Sequence, residues 1–115
     1  MELWIGFDLQ AEIEAVDVSN WTALHLAAYY GKEAVAAQLL QAGASVSAVT
    51  ANGSTPLHVA ARYGKSSIAN LLLQANASPT AVDKYGDTPA QLAKQRGHGD
   101  LAARLLEAEQ AAALK

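Results

Sequence analysis

Thr55-Pro56-Leu57-His58-Val59-Ala60-Ala61 decides the fold, because it is one of three copies. Thirty-three residues before it stands Thr22-Ala23-Leu24-His25-Leu26-Ala27-Ala28, and 33 residues after it a worn copy, Thr88-Pro89-Ala90-Gln91-Leu92-Ala93-Lys94. The threonines at 22, 55 and 88 are in register, as are Gly31, Gly64 and Gly97 nine residues later. A fixed period of this size marks stacked supersecondary units, none of which buries its apolar face alone. Such solenoids offer long surfaces and serve mostly in binding.

Within one unit the residues dictate helix, turn, helix and loop. Thr55 followed by Pro56 is a cap and then a proline at the first helical position. Leu57, Ala60 and Ala61 give a short apolar face, and the alanines let two helices approach closely. Gly64 suits the left-handed residue that ends a helix. Ser66 or Ser67 is expected to cap a second helix carrying Ile68, Leu71, Leu72 and Leu73. Asn76 stands where Gly43 stands one unit earlier, again a helix-ending choice, and Asn52-Gly53 carries the chemistry of a tight hairpin turn. Helices this short are unstable alone, so each unit must pack on its neighbour.

The repeating block resembles the ankyrin repeat. That family's signature is Thr-Pro-Leu-His, a hydrophobic residue and Ala-Ala, then Gly, an Ile/Val-Val-x-x-Leu-Leu run and a Gly-Ala-x-Val close. This chain supplies Val35, Leu39, Leu40, Gly43, Ala44 and Val46, then Ile68, Leu72, Leu73, Asn76 and Ala77, then Leu101, Leu105 and Leu106. The resemblance covers about residues 17–109. It implies an all-α solenoid of helix-turn-helix units with finger-like hairpin loops. Its units are expected at 17–49, 50–82 and 83–109, with a partial N-terminal cap at 1–16 and a tail at 110–115. It also implies structural roles for Thr22, Thr55 and Thr88, and for His25 and His58 as hydrogen-bonding links between adjacent units. His98 resembles the family's Gly-His turn and is expected to be structural. Asp17 and Asp83 sit at the family's usual Asp position and are expected to form turns.

Size and composition bound the rest. The chain has 115 residues, enough for one domain, and its 51% hydrophobic and 17% charged content fits a folded soluble protein. A net charge of −3 argues against nucleic acid as the main partner, which calls for a basic surface. Without cysteine there is neither a disulfide framework nor thiol chemistry. Apolar runs fall far short of a membrane span. Met1–Gln10 lacks a basic start and holds Glu2 and Asp8, unlike a signal peptide. A cytoplasmic setting is the expectation.

The two ends differ. Residues 5–17 align with the tail of an incomplete unit, and the first segment as a whole carries Leu3, Trp4, Ile5 and Phe7 and acids without a base. They read either as a short amphipathic cap or as an end on which a partner or second copy packs. A chain that begins at Met1 inside a unit points to an engineered or trimmed array. At the other end Leu57 and His58 give way to Ala90 and Gln91, and the second alanine to Lys94, as in a terminal cap. A last helix is expected to start near Asp100 as its cap and to run through Leu105, Leu106 and Glu107 into Ala111-Ala112-Ala113, with residues 110–115 fraying.

Chemistry is sparse. Nothing converges on His25 or His58 to make a base or a metal site, and Gly97-His98-Gly99-Asp100 lacks the lysine and strand of a phosphate loop. No catalytic residue, cofactor or metal is expected. The informative contrast lies between two faces. In ankyrin-like proteins, targets usually meet the finger tips and the exposed side of the first helices. By register those positions hold Trp21, Tyr29, Tyr30, Arg62, Tyr63, Lys84, Tyr85 and Arg96. The outward positions of the second helices hold Ala34, Ala37, Gln38, Gln41, Ser67, Asn70 and Gln74. Trp, Tyr and Arg are the residues of binding hot spots. The expectation is a non-enzymatic module that binds a protein or peptide, with Arg62, Arg96 and Lys84 favouring an acidic epitope and the aromatic residues forming one continuous stripe. The alternative is a homodimer or scaffold that uses the same face or the apolar N-terminal end.

Overall fold

The computed structural model describes residues 20–113. The candidate cap at 1–16, with its Leu3–Phe7 end, and Asp17 lie outside the described residues. Three helix pairs follow one another: α1 (Ala23–Tyr30) with α2 (Glu33–Gln41), α3 (Pro56–Arg62) with α4 (Ser66–Gln74), and α5 (Pro89–Gln95) with α6 (Gly99–Ala113). There is no strand among the described residues. Each first helix packs on its own partner and on the next first helix, α1 on α3 and α3 on α5, while α2 packs on α4. The molecule is the all-α repeat solenoid that the period predicts.

Helix starts repeat the same chemistry. Thr22, Thr55 and Thr88 are N-caps in extended conformation, and each closes a capping box with the residue three positions on. Thr55 Oγ1 accepts from the His58 backbone N–H at 3.2 Å, while Thr55 N–H donates to His58 Nδ1 at 3.1 Å. Two otherwise orphaned helix-end donors are thereby satisfied. Pro56 and Pro89 occupy the first helical position, where a missing N–H is harmless.

Helix ends repeat as well. Gly64 has a φ of +71°, Lys65 N–H donates to Ala60 O at 2.8 Å and Gly64 N–H to Ala61 O at 3.3 Å. This is the paired 6→1 and 5→2 bonding of a Schellman turn. It recurs at Gly31 and at Gly97. The turn runs straight into the next helix, which corrects two expectations. Lys65, not Ser66 or Ser67, is the N-cap of α4, and both serines lie inside its first turn. In the third unit the helix begins at Gly99, so Asp100 is a first-turn residue rather than the cap. Its carboxylate there faces the positive end of the helix dipole.

α2 and α4 end before left-handed residues, Gly43 at φ +91° and Asn76 at φ +72°. The equivalent position in the third unit is Glu109, which does not favour that conformation. The helix therefore continues through Ala111 and Ala112 to Ala113, the run expected for it.

The core is a row of equivalent positions. Leu24, Leu57 and Ala90 are buried one after another, beside Ile68, Leu72, Leu101 and Leu105 from the second helices. Ala27, Ala28, Ala60, Ala61 and Ala93 are nearly solvent-free and let the helices close on each other.

Candidate functional site

The finger loops that separate the pairs are built by short polar side chains. Asp83 Oδ1 accepts from the backbone N–H groups of Tyr85 at 2.9 Å and Asp87 at 3.0 Å, which makes it the turn former that its position implied. Thr50 does the same work one unit earlier, its Oγ1 accepting from Asn52 N–H and Ser54 N–H, each at 3.2 Å. The two fingers then join: Lys84 N–H donates to Asn52 O at 3.0 Å. Gly53 permits this, with φ +78° and a backbone so close that an added Cβ would stand 3.0 Å from Lys84 N.

The histidines tie helix, finger and unit together. His25 Nε2 lies 2.8 Å from Ser54 O and His58 Nε2 lies 2.9 Å from Asp87 O, each 29 residues ahead. A backbone N–H only donates and a carbonyl only accepts. Nδ1 is therefore the acceptor at the cap and Nε2 carries the proton, the neutral tautomer. Burial holds both imidazoles below their ordinary pKa of 6.5, although the Ser54 and Asp87 carbonyls pull the other way. Gln91 takes the histidine's place in α5 and keeps only the cap, its Oε1 accepting from Thr88 N–H at 2.8 Å. His98 also bridges units, its Nε2 donating to Arg62 O at 3.2 Å.

Where the first helices meet the fingers, aromatic rings interlock. Trp21 lies 5.8 Å from Tyr29 with its plane at 79°, and Tyr29 is edge-on to Tyr63 of the next unit at 4.7 Å and 84°. Tyr30 abuts Tyr29 at 4.8 Å, and the Trp21 indole leans over His25 at 5.8 Å. Trp21, Tyr29 and Tyr63 are half-buried and pack against the core. The edge-to-face chain itself links α1 to α3.

Beside this cluster lies a small hollow open to solvent. Trp21, Asn52, Ser54, Arg62, Tyr63 and Leu92 contribute to its lining. Leu92 was not among the sequence candidates. Its register could have revealed it, since it repeats Leu26 and Val59 at the fourth position after each Thr. Lys84 and Tyr85 sit apart on their finger, the Lys84 ammonium 5.3 Å from the Tyr85 ring centroid and the ring 64% exposed. Arg96 caps the end of α5 and is exposed. The row expected from register is therefore divided into a packed aromatic cluster with Arg62 at its edge, and a separate Lys84–Tyr85 tip. Val49 and Val82, 50% and 57% exposed at equivalent positions, add apolar surface to the fingers.

Among the described residues, no group of three His, Asp or Glu side chains is placed to hold a metal ion. Nor is any described helix long and apolar enough to cross a membrane. No curated protein matches the chain. A family model for ankyrin repeats in three copies matches residues 2–83 of the 115. Together with the repeated caps, Schellman turns and finger loops, that match shows that the chain belongs to the ankyrin-repeat family, whose members are generally protein–protein interaction modules.

Proposed function

We propose that this protein is a non-enzymatic binding module that meets a protein or peptide partner through the face formed by its first helices and fingers. The observation that carries this reading is the asymmetry of the surface. One side gathers Trp21, Tyr63 and Arg62 around a hollow, with Tyr29 in ring contact with both Trp21 and Tyr63. The outward side of α2 and α4 offers Ala34, Gln38, Gln41, Ser67 and Gln74, all exposed and uncharged. Large rigid aromatic side chains give contact area with little rotamer entropy to lose. The buried polar side chains His25, Thr50, Thr55, His58 and Asp83 are all engaged in hydrogen bonds of the scaffold, which supports display rather than catalysis.

The test is binding to an isolated partner by titration calorimetry. Trp21→Ala and Tyr63→Ala are expected to cost about 1–4 kcal/mol of binding free energy, the hot-spot range. Gln41→Glu and Gln74→Glu, on the other side, are expected to leave affinity unchanged. The reverse pattern refutes the assignment of the face. If light scattering of the pure protein shows a dimer that Trp21→Ala dissolves, the face serves self-assembly instead.

A further inference from the structure

We propose that the hollow beside Arg62 is a socket for one acidic side chain, Asp or Glu, of the protein segment that docks on this face. The proposal rests on the binding face described above and deepens it.

Arg62 is the last residue of α3 and is half-buried. Its carbonyl accepts from His98, but its guanidinium has no hydrogen-bond or ion-pair partner among the described residues. A guanidinium presents five N–H donors in a planar fork matched to a carboxylate. No carboxylate lines the hollow with it; the one other ionisable side chain there, His58, is committed to Thr55 and Asp87. The two carboxylates of the neighbouring finger are engaged elsewhere. Asp83 holds its own turn, and Asp87 Oδ1 accepts from Gln95 Nε2 at 3.4 Å. Among the described residues, the hollow thus sets a guanidinium without an acidic partner beside a lining that is part aromatic and part neutral polar.

The walls decide which base matters. Trp21 and Tyr63 line the same hollow as Arg62, and a less polar surrounding strengthens a charge pair formed there. Lys84 and Arg96 are exposed, and ion pairs in open solvent contribute little. Asn52 and Ser54 add an amide and a hydroxyl to the same lining. An incoming carboxylate would find the guanidinium fork with neutral donors close by, while the stem of its side chain rests on aromatic carbon. The open mouth suits a side chain entering from a bound segment rather than an enclosed small molecule.

The test is selection from random short peptides displayed on phage, against the wild-type chain and against Arg62→Gln. Chosen peptides are then synthesised with Glu or Gln at the common position and titrated by calorimetry. The expected result is a shared acid in peptides enriched by the wild type. Its replacement by Gln should weaken Kd roughly 10–100-fold, as for loss of a charge-assisted hydrogen bond. The two peptides should bind Arg62→Gln alike, whereas Arg96→Gln should keep the preference. The peptide substitution tests the wild-type protein itself, so it stands even if the Arg62 variant folds poorly. Enriched peptides that lack the acid, or an acid preference that survives Arg62→Gln, overturn the socket. The binding face still stands in that case if Trp21→Ala abolishes binding. No enrichment at all overturns both. A dimer that Arg62→Gln dissolves overturns the choice of partner and puts a second copy in the hollow.

Discussion

Replacing His58 separates the two things this side chain does. The imidazole is 1% exposed, accepts at Nδ1 from Thr55 N–H and, on the same side, meets Thr55 Oγ1 at 2.9 Å. At Nε2 it donates to Asp87 O, the carbonyl that also accepts from Asp83 N–H and so closes the finger that Asp83 builds. Gln91 shows what glutamine does at this position: it keeps the cap bond to Thr88 N–H. His58→Gln is therefore expected to retain the cap and lose the reach to Asp87, a cost of about 1 kcal/mol for one net hydrogen bond. His58→Ala also strands the buried Thr55 N–H and leaves a void where the ring packed, for a total of roughly 2–4 kcal/mol. Urea denaturation with an unchanged m-value measures both. Amide exchange at 83–87 should quicken in both variants, since both lose the bond to Asp87. If the alanine and glutamine variants denature at the same midpoint, the cap contributes nothing. If glutamine matches wild type, the link between units contributes nothing.

Other expectations follow from the same geometry. Because burial lowers the folded pKa of His25 and His58 below 6.5, the unfolded chain binds more protons as acid is added. Their contribution to stability should be complete above pH 6.5 and be lost as pH falls through the lowered folded values, with a shallower decline in His58→Gln; urea midpoints across pH check this. Gly53→Ala should destabilise more than Gly43→Ala, since both have positive φ but only the former also brings its Cβ against Lys84 N at 3.0 Å; equal midpoints would sink the argument from close approach. Tyr29→Ala should lower stability as well as binding, by about 1–3 kcal/mol, because it removes edge contacts with both Trp21 and Tyr63. A stability equal to wild type by thermal melting would show the aromatic cluster to be decoration on the scaffold.

The repeat period and its cap and turn residues were enough to derive the fold. Thr, Pro, Gly and Asn act on their own backbone within a few residues, so their roles at 22, 55, 88, 31, 64, 97 and 76 can be read locally. Apolar register did the same for Leu24, Leu57 and Leu72. Local reasoning failed at the starts of the second helices, where Ser66, Ser67 and Asp100 looked like caps. A Schellman turn sets the phase of the helix that follows it, and that phase places Lys65 and His98 at the joint. The candidate residues Trp21, Tyr29, Tyr30, Arg62, Tyr63, Lys84, Tyr85 and Arg96 could be placed by register on one side of the array. Register does not say which rings touch. Tyr29 meets Tyr63 because the packing of α1 on α3 brings together side chains 34 residues apart, while Tyr85 stays on its finger beside Lys84. The hollow, Leu92 in its wall and an Arg62 guanidinium without an acidic partner among the described residues arise only when the three units are stacked, since no single segment contains them.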